Sequence, residues 1–295
     1  MLKVALGTVQ FGLDYGISGS KKKTSKNEVE KILKFAANHG ICTLDTAPSY
    51  GDAEEVVGDF FGNYCDTESW KIITKTPHFK SNIIGDRQVY ELFDSFKVSR
   101  KKIGQNRIYG LLIHDFNDLL LPGGEKLLWA MSQLKKEGIV EKIGVSLYNS
   151  KQIDYLLDNF SIDLVQLPIN IIDQRLIKGG YLKKLKKQGI EIHARSVFLQ
   201  GLLLMPLNAI PAWFSPIINI LGEFHKKARQ RNISSLQLAL GFVQSIKEVD
   251  NIVIGVNKLD QLHDIIDTNS IHVNIKKFCD LSVSNDNFLN PSKWK

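Results

Sequence analysis

Cysteine is scarce in this chain of 295 residues: there are three, Cys42, Cys65 and Cys279, far apart and never in a C-x-x-C pair. So sparse and odd a set argues against a disulfide framework or a cysteine-built zinc site, and no metal is expected. No stretch approaches about 18 uninterrupted apolar residues, so no membrane span is predicted. The opening MLKVALGTVQFG has no long apolar core, reads as a strand rather than a signal peptide, and makes the cytoplasm the expected compartment. Lys and Arg number 38 against 31 Asp and Glu, a formal net charge of +7. That excess is spread over helix-like segments such as KKLKKQG (183–189) and EFHKKARQR (223–231), with no basic stripe interleaved with aromatics. Nucleic acid is therefore not an expected partner, whereas a mild attraction for anionic small molecules is compatible with the charge. No low-complexity segment, internal linker or sequence-level repeat interrupts the chain.

What the chain does have is alternation. Apolar runs suited to strands buried on both faces occur at VALGTVQ (4–10), ICTLDTA (41–47), WKIITKT (70–76), IYGLLIH (108–114), KIGVSLY (142–148), LVQLPI (164–169), IEIHARSVF (190–198) and NIVIGV (251–256). Amphipathic segments lie between them. SKNEVEKILKFAANHG (25–40) opens on a cap candidate, Ser25, with Glu28 three residues later. EKLLWAMSQLKKEG (125–138) stops at a glycine, and SSLQLALGFVQSI (234–246) is apolar almost all round, as a tightly packed helix would be. Eight strand–helix repeats in a chain of this length predict an α/β fold, a (β/α)8 TIM barrel forming a single domain over 1–295. A doubly wound open sheet is the alternative. It is weakened because no G-x-G-x-x-G turn follows the first strand.

Polar residues at the C-terminal ends of barrel strands share one mouth. Here those ends supply Asp45, with Tyr50 just beyond, then Lys75, His114, Ser146 and Gln166. Singly, each has an ordinary reading: helix cap, rim tyrosine, snorkelling lysine, core histidine. Together they suit proton delivery to a carbonyl oxygen. A phenol keeps its proton at neutral pH, a nearby ammonium favours the phenolate, a carboxylate holds the ammonium, and a neutral imidazole can donate to the substrate oxygen. No serine or cysteine nucleophile with a histidine partner is apparent, so a hydride donor fits the other half of the reaction.

DTAPSYG with a downstream Lys75 and His114 resembles the aldo-keto reductase superfamily. The likeness runs through GTVQFG (7–12), DTAPSYGDAEEVVG (45–58), KTP (75–77), LLIHD (111–115), LKKEGIVEKIGVS (134–146), RSVFLQGLLL (195–204) and IVIGVNKLDQL (252–262). It implies that Asp45, Tyr50, Lys75 and His114 form a catalytic tetrad, with Tyr50 the acid in carbonyl reduction. It also implies NADPH, rather than NADH, as the cofactor. Gly7 and Thr8 would then lie near the nicotinamide ribose, and Ser146 and Gln166 would hold the carboxamide. Leu147 stands where many members have Asn, so one carboxamide contact is either lost or supplied elsewhere, with Asn170 a candidate. Ser196, Phe198, Gln200, Gly201 and Leu202 match the pyrophosphate segment, with Val197 in place of a common proline. Gly255, Asn257 and Lys258 match the 2′-phosphate loop, and Gln261 and Asp264 the residues facing adenine; Ile265 replaces a usual Asn.

The resemblance implies a small-molecule carbonyl or alcohol as substrate. The resemblance of LGTVQFGLDYGI and RSVFLQGLLL to reductases of bacterial surface-sugar pathways suggests a keto- or aldehydo-sugar. Phe11, Phe116, Trp213 and Phe214 are candidates for an aromatic wall, and Arg195 for contact with an acidic or phosphorylated substrate. Two other readings stand beside this one: a nucleotide-sensing or partner-binding barrel with little turnover, and an aldolase-like barrel in which Lys75 forms a Schiff base.

Overall fold

The computed structural model describes residues 3–17, 22–64, 69–268 and 271–294; Cys65 lies outside them. Eight parallel strands close into a barrel in sequence order: β1 (Val4–Gly7), β2 (Thr43–Asp45), β3 (Lys71–Lys75), β4 (Ile108–Ile113), β5 (Val140–Ser146), β6 (Leu164–Pro168), β7 (Glu191–Arg195) and β8 (Asn251–Gly255). The register closes where Gly7 pairs with Asp45 on one side and Gly255 on the other. Every expected strand is present, though several stop early. β1 ends at Gly7 because Val9–Gly12 coils into a helical turn. β7 ends at Arg195 because Ser196 adopts a left-handed φ of 59°.

The helices follow their caps. In Lys26–Asn38 the Ser25 side chain accepts from the Glu28 N–H. Ser235–Gln244 starts with a reciprocal box: Ser234 Oγ accepts from Gln237 N at 3.1 Å, and Gln237 Oε1 from Ser234 N at 2.8 Å. Leu238 through Gln244 of this helix are all buried, as its all-round apolar pattern requires.

The main core lies between strands and helices, while Ile73, Leu112 and Leu164 form a separate small cluster. The space beside that cluster explains two glycines. A Cβ on Gly144 would sit 1.8 Å from Leu164 O, and one on Gly110 would lie 3.1 Å from Ile73 Cγ1. Towards the N-terminal ends of the strands, Glu191 gathers Tyr109 Oη (2.7 Å), His193 Nε2 (2.6 Å), Asn251 Nδ2 (3.3 Å) and the Lys142 ammonium. Burial would raise the Glu191 pKa, but these partners outweigh it and hold the carboxyl well below its usual range.

The C-terminal segment packs against the body. Val283 N donates to Ile172 O at 2.8 Å, Arg175 pairs with Asp286 at 2.9 Å, Leu289 is buried, and Trp294 meets Phe214 edge-on at 4.9 Å. Among the described residues no helix is long and apolar enough to cross a membrane, and no cluster of His, Cys, Asp and Glu could hold a metal.

Candidate active site

A cleft of about 400 Å³ opens at the C-terminal ends of the strands. At its floor lies a buried ion pair. Asp45 is the last residue of β2 and Lys75 the last of β3, so both side chains leave the sheet at the same end. The Lys75 ammonium donates to Asp45 Oδ1 (2.8 Å), Asp45 Oδ2 (2.9 Å) and Thr46 O (2.9 Å). Gln166 Nε2 adds a fourth hydrogen bond to this group, at 2.5 Å from Asp45 Oδ1. Both ions are almost wholly buried, at 3% and 4% exposed, so their pairing is obligatory. Burial alone would discharge Lys75, but Asp45 and Tyr50 outweigh it and raise its pKa. An ammonium held this firmly is a poor Schiff-base nucleophile, which requires the neutral amine.

Tyr50 lies in the turn after β2, with the Lys75 ammonium 4.9 Å from its ring centroid. That turn is fixed by contact between two backbones. A Cβ on Gly12 would fall 1.7 Å from Tyr50 O, and one on Gly51, whose φ is +61°, would fall 2.4 Å from Gly12 O. Only glycine permits this approach. Burial raises the Tyr50 pKa above the ordinary phenol value, and Lys75 pulls it back only in part. The phenol is therefore protonated at neutral pH. Lys75 acts as expected, but it does not win against burial.

His114 follows β4 and meets the Tyr50 ring edge-on, with centroids 5.9 Å apart. Burial, together with the charges of Lys75, His78 and Arg195, pushes its pKa down to about 2. The imidazole is thus neutral. Ser49 Oγ lies 3.4 Å from its Nδ1.

The remaining expected residues divide into two groups. Gly7, Ser146, Arg195, Ser196, Phe198, Gln200 and Gly201 line the cleft, as do Gly255, Asn257 and Gln261. The Ser146 hydroxyl is buried there without a hydrogen-bond partner. Ser196, Leu199 and Gln200 all have positive φ (59°, 47° and 51°), so backbone strain concentrates in the loop along this wall. Thr8 and Leu202 are fully buried behind it. Thr8 Oγ1 instead donates to Asp45 O at 3.1 Å. Lys258 and Asp264 are exposed outside the cleft lining.

Three expectations need correction. Phe11, Phe116 and Phe214 are core residues, at most 2% exposed, and form no aromatic wall. Trp213 faces Phe288 at 6.4 Å rather than the cleft. Asn170 is wholly buried and lies outside the cleft lining, where Nδ2 donates to Ser196 O at 3.0 Å and Oδ1 accepts from Ile172 N and Asp173 N at 3.0 and 2.8 Å. The N–H groups at the start of helix Leu259–Asp267 are engaged within the chain. Gln261 Oε1 accepts from Asn257 N at 2.7 Å and Lys258 N at 3.2 Å, and Glu28 Oε1 accepts from Leu259 N at 2.7 Å. Besides Tyr50, the aromatics that line the cleft are Tyr15, Tyr148 and Phe198. Tyr148 was visible two residues beyond Ser146; Tyr15 carried no signal.

Comparison with known proteins agrees with this architecture. The structure of an aldo-keto reductase from Bacillus halodurans in its holo form superposes with a TM-score of 0.76 over 99% of this chain and 95% of that one, at 16% identity. A glycerol dehydrogenase from Gluconobacter oxydans gives a TM-score of 0.72 at 20% identity, covering 98% and 92%. In sequence, the uncharacterized oxidoreductase YqkF of Bacillus subtilis is 25% identical over 285 residues, 90% of each chain. The model of the Aldo/keto reductase family matches residues 3–282, and the chain belongs to that family of oxidoreductases.

Proposed function

We propose that this protein reduces the carbonyl group of a small polar aldehyde or ketone, such as a keto- or aldehydo-sugar, with Tyr50 as the general acid. The observation that carries this reading is a protonated phenol set beside a fixed ammonium and a neutral imidazole at the floor of the cleft. Tyr50 gives its proton to the carbonyl oxygen. Lys75 stabilises the phenolate that remains, and Asp45 keeps Lys75 charged. His114, as a neutral imidazole, orients the oxygen through its N–H without competing as an acid. The carbon gains a hydride, the oxygen gains the proton, and the phenolate regains a proton from solvent.

The cleft fits a nicotinamide dinucleotide: the orphaned Ser146 hydroxyl offers an amide group a partner, and the strained segment 196–201 lines an extended groove. When bound, that cofactor supplies the hydride. Ser146 and Gln166 would hold its carboxamide, and Lys258 would favour the 2′-phosphate of NADPH over NADH. Lys258 does this through its side chain, since the nearby N–H groups are already engaged.

The test is Tyr50→Phe. Reduction of a responsive aldehyde should fall by about 10²–10⁴-fold while NADPH affinity, followed by fluorescence, stays within about twofold. Near-normal turnover would defeat the assignment of Tyr50. Tight NADPH binding by the native protein with no turnover across a broad carbonyl panel would favour a nucleotide-sensing barrel instead.

A further inference from the structure

We infer that His78 is a positioning residue for the proposed reduction: stacked on His114 from outside the cleft, it fixes the plane in which that imidazole meets the substrate oxygen. This rests on the carbonyl-reductase reading and adds a fifth side chain to Asp45, Tyr50, Lys75 and His114. The placement of His78 points to it. Its ring centroid lies 4.4 Å from that of His114, with the two planes inclined by only 30°. His78 is exposed and lies outside the cleft lining, so it reaches the reaction only through its neighbour. Among the described residues its ring makes no hydrogen bond, and the face of His114 is what it touches.

The backbone of His78 is held in place. Beyond Lys75, the last residue of β3, the chain still runs beside β4: Thr76 N donates to Leu112 O at 2.8 Å, and Thr76 Oγ1 accepts from His114 N at 3.1 Å. Pro77 restricts the next step of the chain, and Phe79 returns to the core at 9% exposed. An exposed ring between two buried anchors has little freedom to leave its partner. His114 needs such a partner. Rotation of an imidazole about its own bond is only loosely restricted. The polar contact on the ring, Ser49 Oγ at 3.4 Å from Nδ1, is longer than an ordinary hydrogen bond, and Tyr50 meets the ring edge-on at 5.9 Å. A flat group across the face resists that rotation where these two contacts do not. The stake is the alignment of the His114 N–H with the reacting oxygen, since a misplacement of about 1 Å can cost about 10²-fold in rate.

The experiment compares His78→Ala, which removes the ring, with His78→Phe, which keeps a flat face without the nitrogens. Both are assayed as the full chain with NADPH and the aldehyde or ketone of the carbonyl panel that the native protein reduces fastest. His78→Ala should lower kcat about tenfold, with KM within about threefold and NADPH affinity, by fluorescence, within about twofold. His78→Phe should keep roughly half or more of the native kcat, because the stack and not the imidazole chemistry is what counts. Adding His78→Ala to His114→Gln should cost no more than about twofold beyond His114→Gln alone, because the effect passes through the His114 ring. An unchanged kcat in His78→Ala, a loss that His78→Phe fails to restore, or a full further loss in the double variant would overturn this inference and leave Tyr50 as the acid. Absence of turnover by the native protein across the panel would overturn the reductase reading and this inference together.

Discussion

Removing either partner of the Asp45–Lys75 pair should destabilise the fold, and the two losses should depend on pH in opposite ways. Both groups are at least 96% buried and joined by two hydrogen bonds of 2.8 and 2.9 Å. Breaking one side of such a pair typically costs about 3–5 kcal/mol, mostly because the survivor is left charged in a dry place. For a chain of this size that corresponds to a fall in Tm of roughly 6–20 °C. In Lys75→Met the stranded carboxyl has its folded pKa raised above the unfolded value. The folded state then binds the proton more tightly, and stability declines as pH rises from about 4 upward. In Asp45→Asn the stranded ammonium has its folded pKa lowered, so stability recovers as pH rises towards 10. The wild-type pair, with the Lys75 pKa raised, keeps its contribution until the pH exceeds about 10.5. The double variant should cost less than the sum of the singles, with a coupling of about 2–3 kcal/mol. Urea melts of all four proteins at pH 6 and pH 9 measure this. Additive losses, or single variants whose pH trends share a sign, would refute the reasoning.

Three further predictions concern separate sites. Asp118 is 6% exposed, its Oδ2 has no partner, and burial with the nearby Asp115 pushes its pKa up to about 7. Native stability should therefore fall between about pH 4 and pH 7, by up to about 4 kcal/mol, and Asp118→Asn should abolish that slope in urea midpoints. Lys258→Ala should weaken NADPH roughly fivefold and NADH little, by fluorescence titration, and equal weakening would move the 2′-phosphate elsewhere. Glu28→Gln, which removes a negative charge from the start of helix Leu259–Asp267, should shift affinity towards NADPH in the same titration, and no shift would mean the phosphate does not approach that helix.

The barrel was legible because its strands are nearly continuous apolar runs punctuated by glycine and helix caps, and such local signals survive folding. Asp45, Lys75 and His114 stood out for a related reason: each brings a polar or ionisable group to the end of an apolar run, where it needs company. The aromatic wall was not legible. A phenylalanine on a loop points wherever its partner lies, and Phe214's partner is Trp294, at the far end of the chain, as Phe116's is Tyr155. The helix start at residue 259 shows the same limit. Its anion-binding capacity depends on Glu28, a residue from an element about 230 positions earlier. Asn170 looked available because nothing in the sequence says that it is buried behind the cleft, where its amide ties its own loop to Ser196 O.

The touching main chains at Gly12 and Gly51 have a mechanical meaning. With no side chain between them to yield, the segment that follows the first strand and the turn that carries the phenol behave as one piece. The same first-strand connection reaches across the groove, where Ile17 N meets Gln200 O at 3.2 Å and Tyr15 meets the Gln200 amide at 3.1 Å. Whatever shifts that crossing when a long ligand settles beneath it must also shift the proton donor, so occupancy of the groove and alignment of the acid are geared to one another.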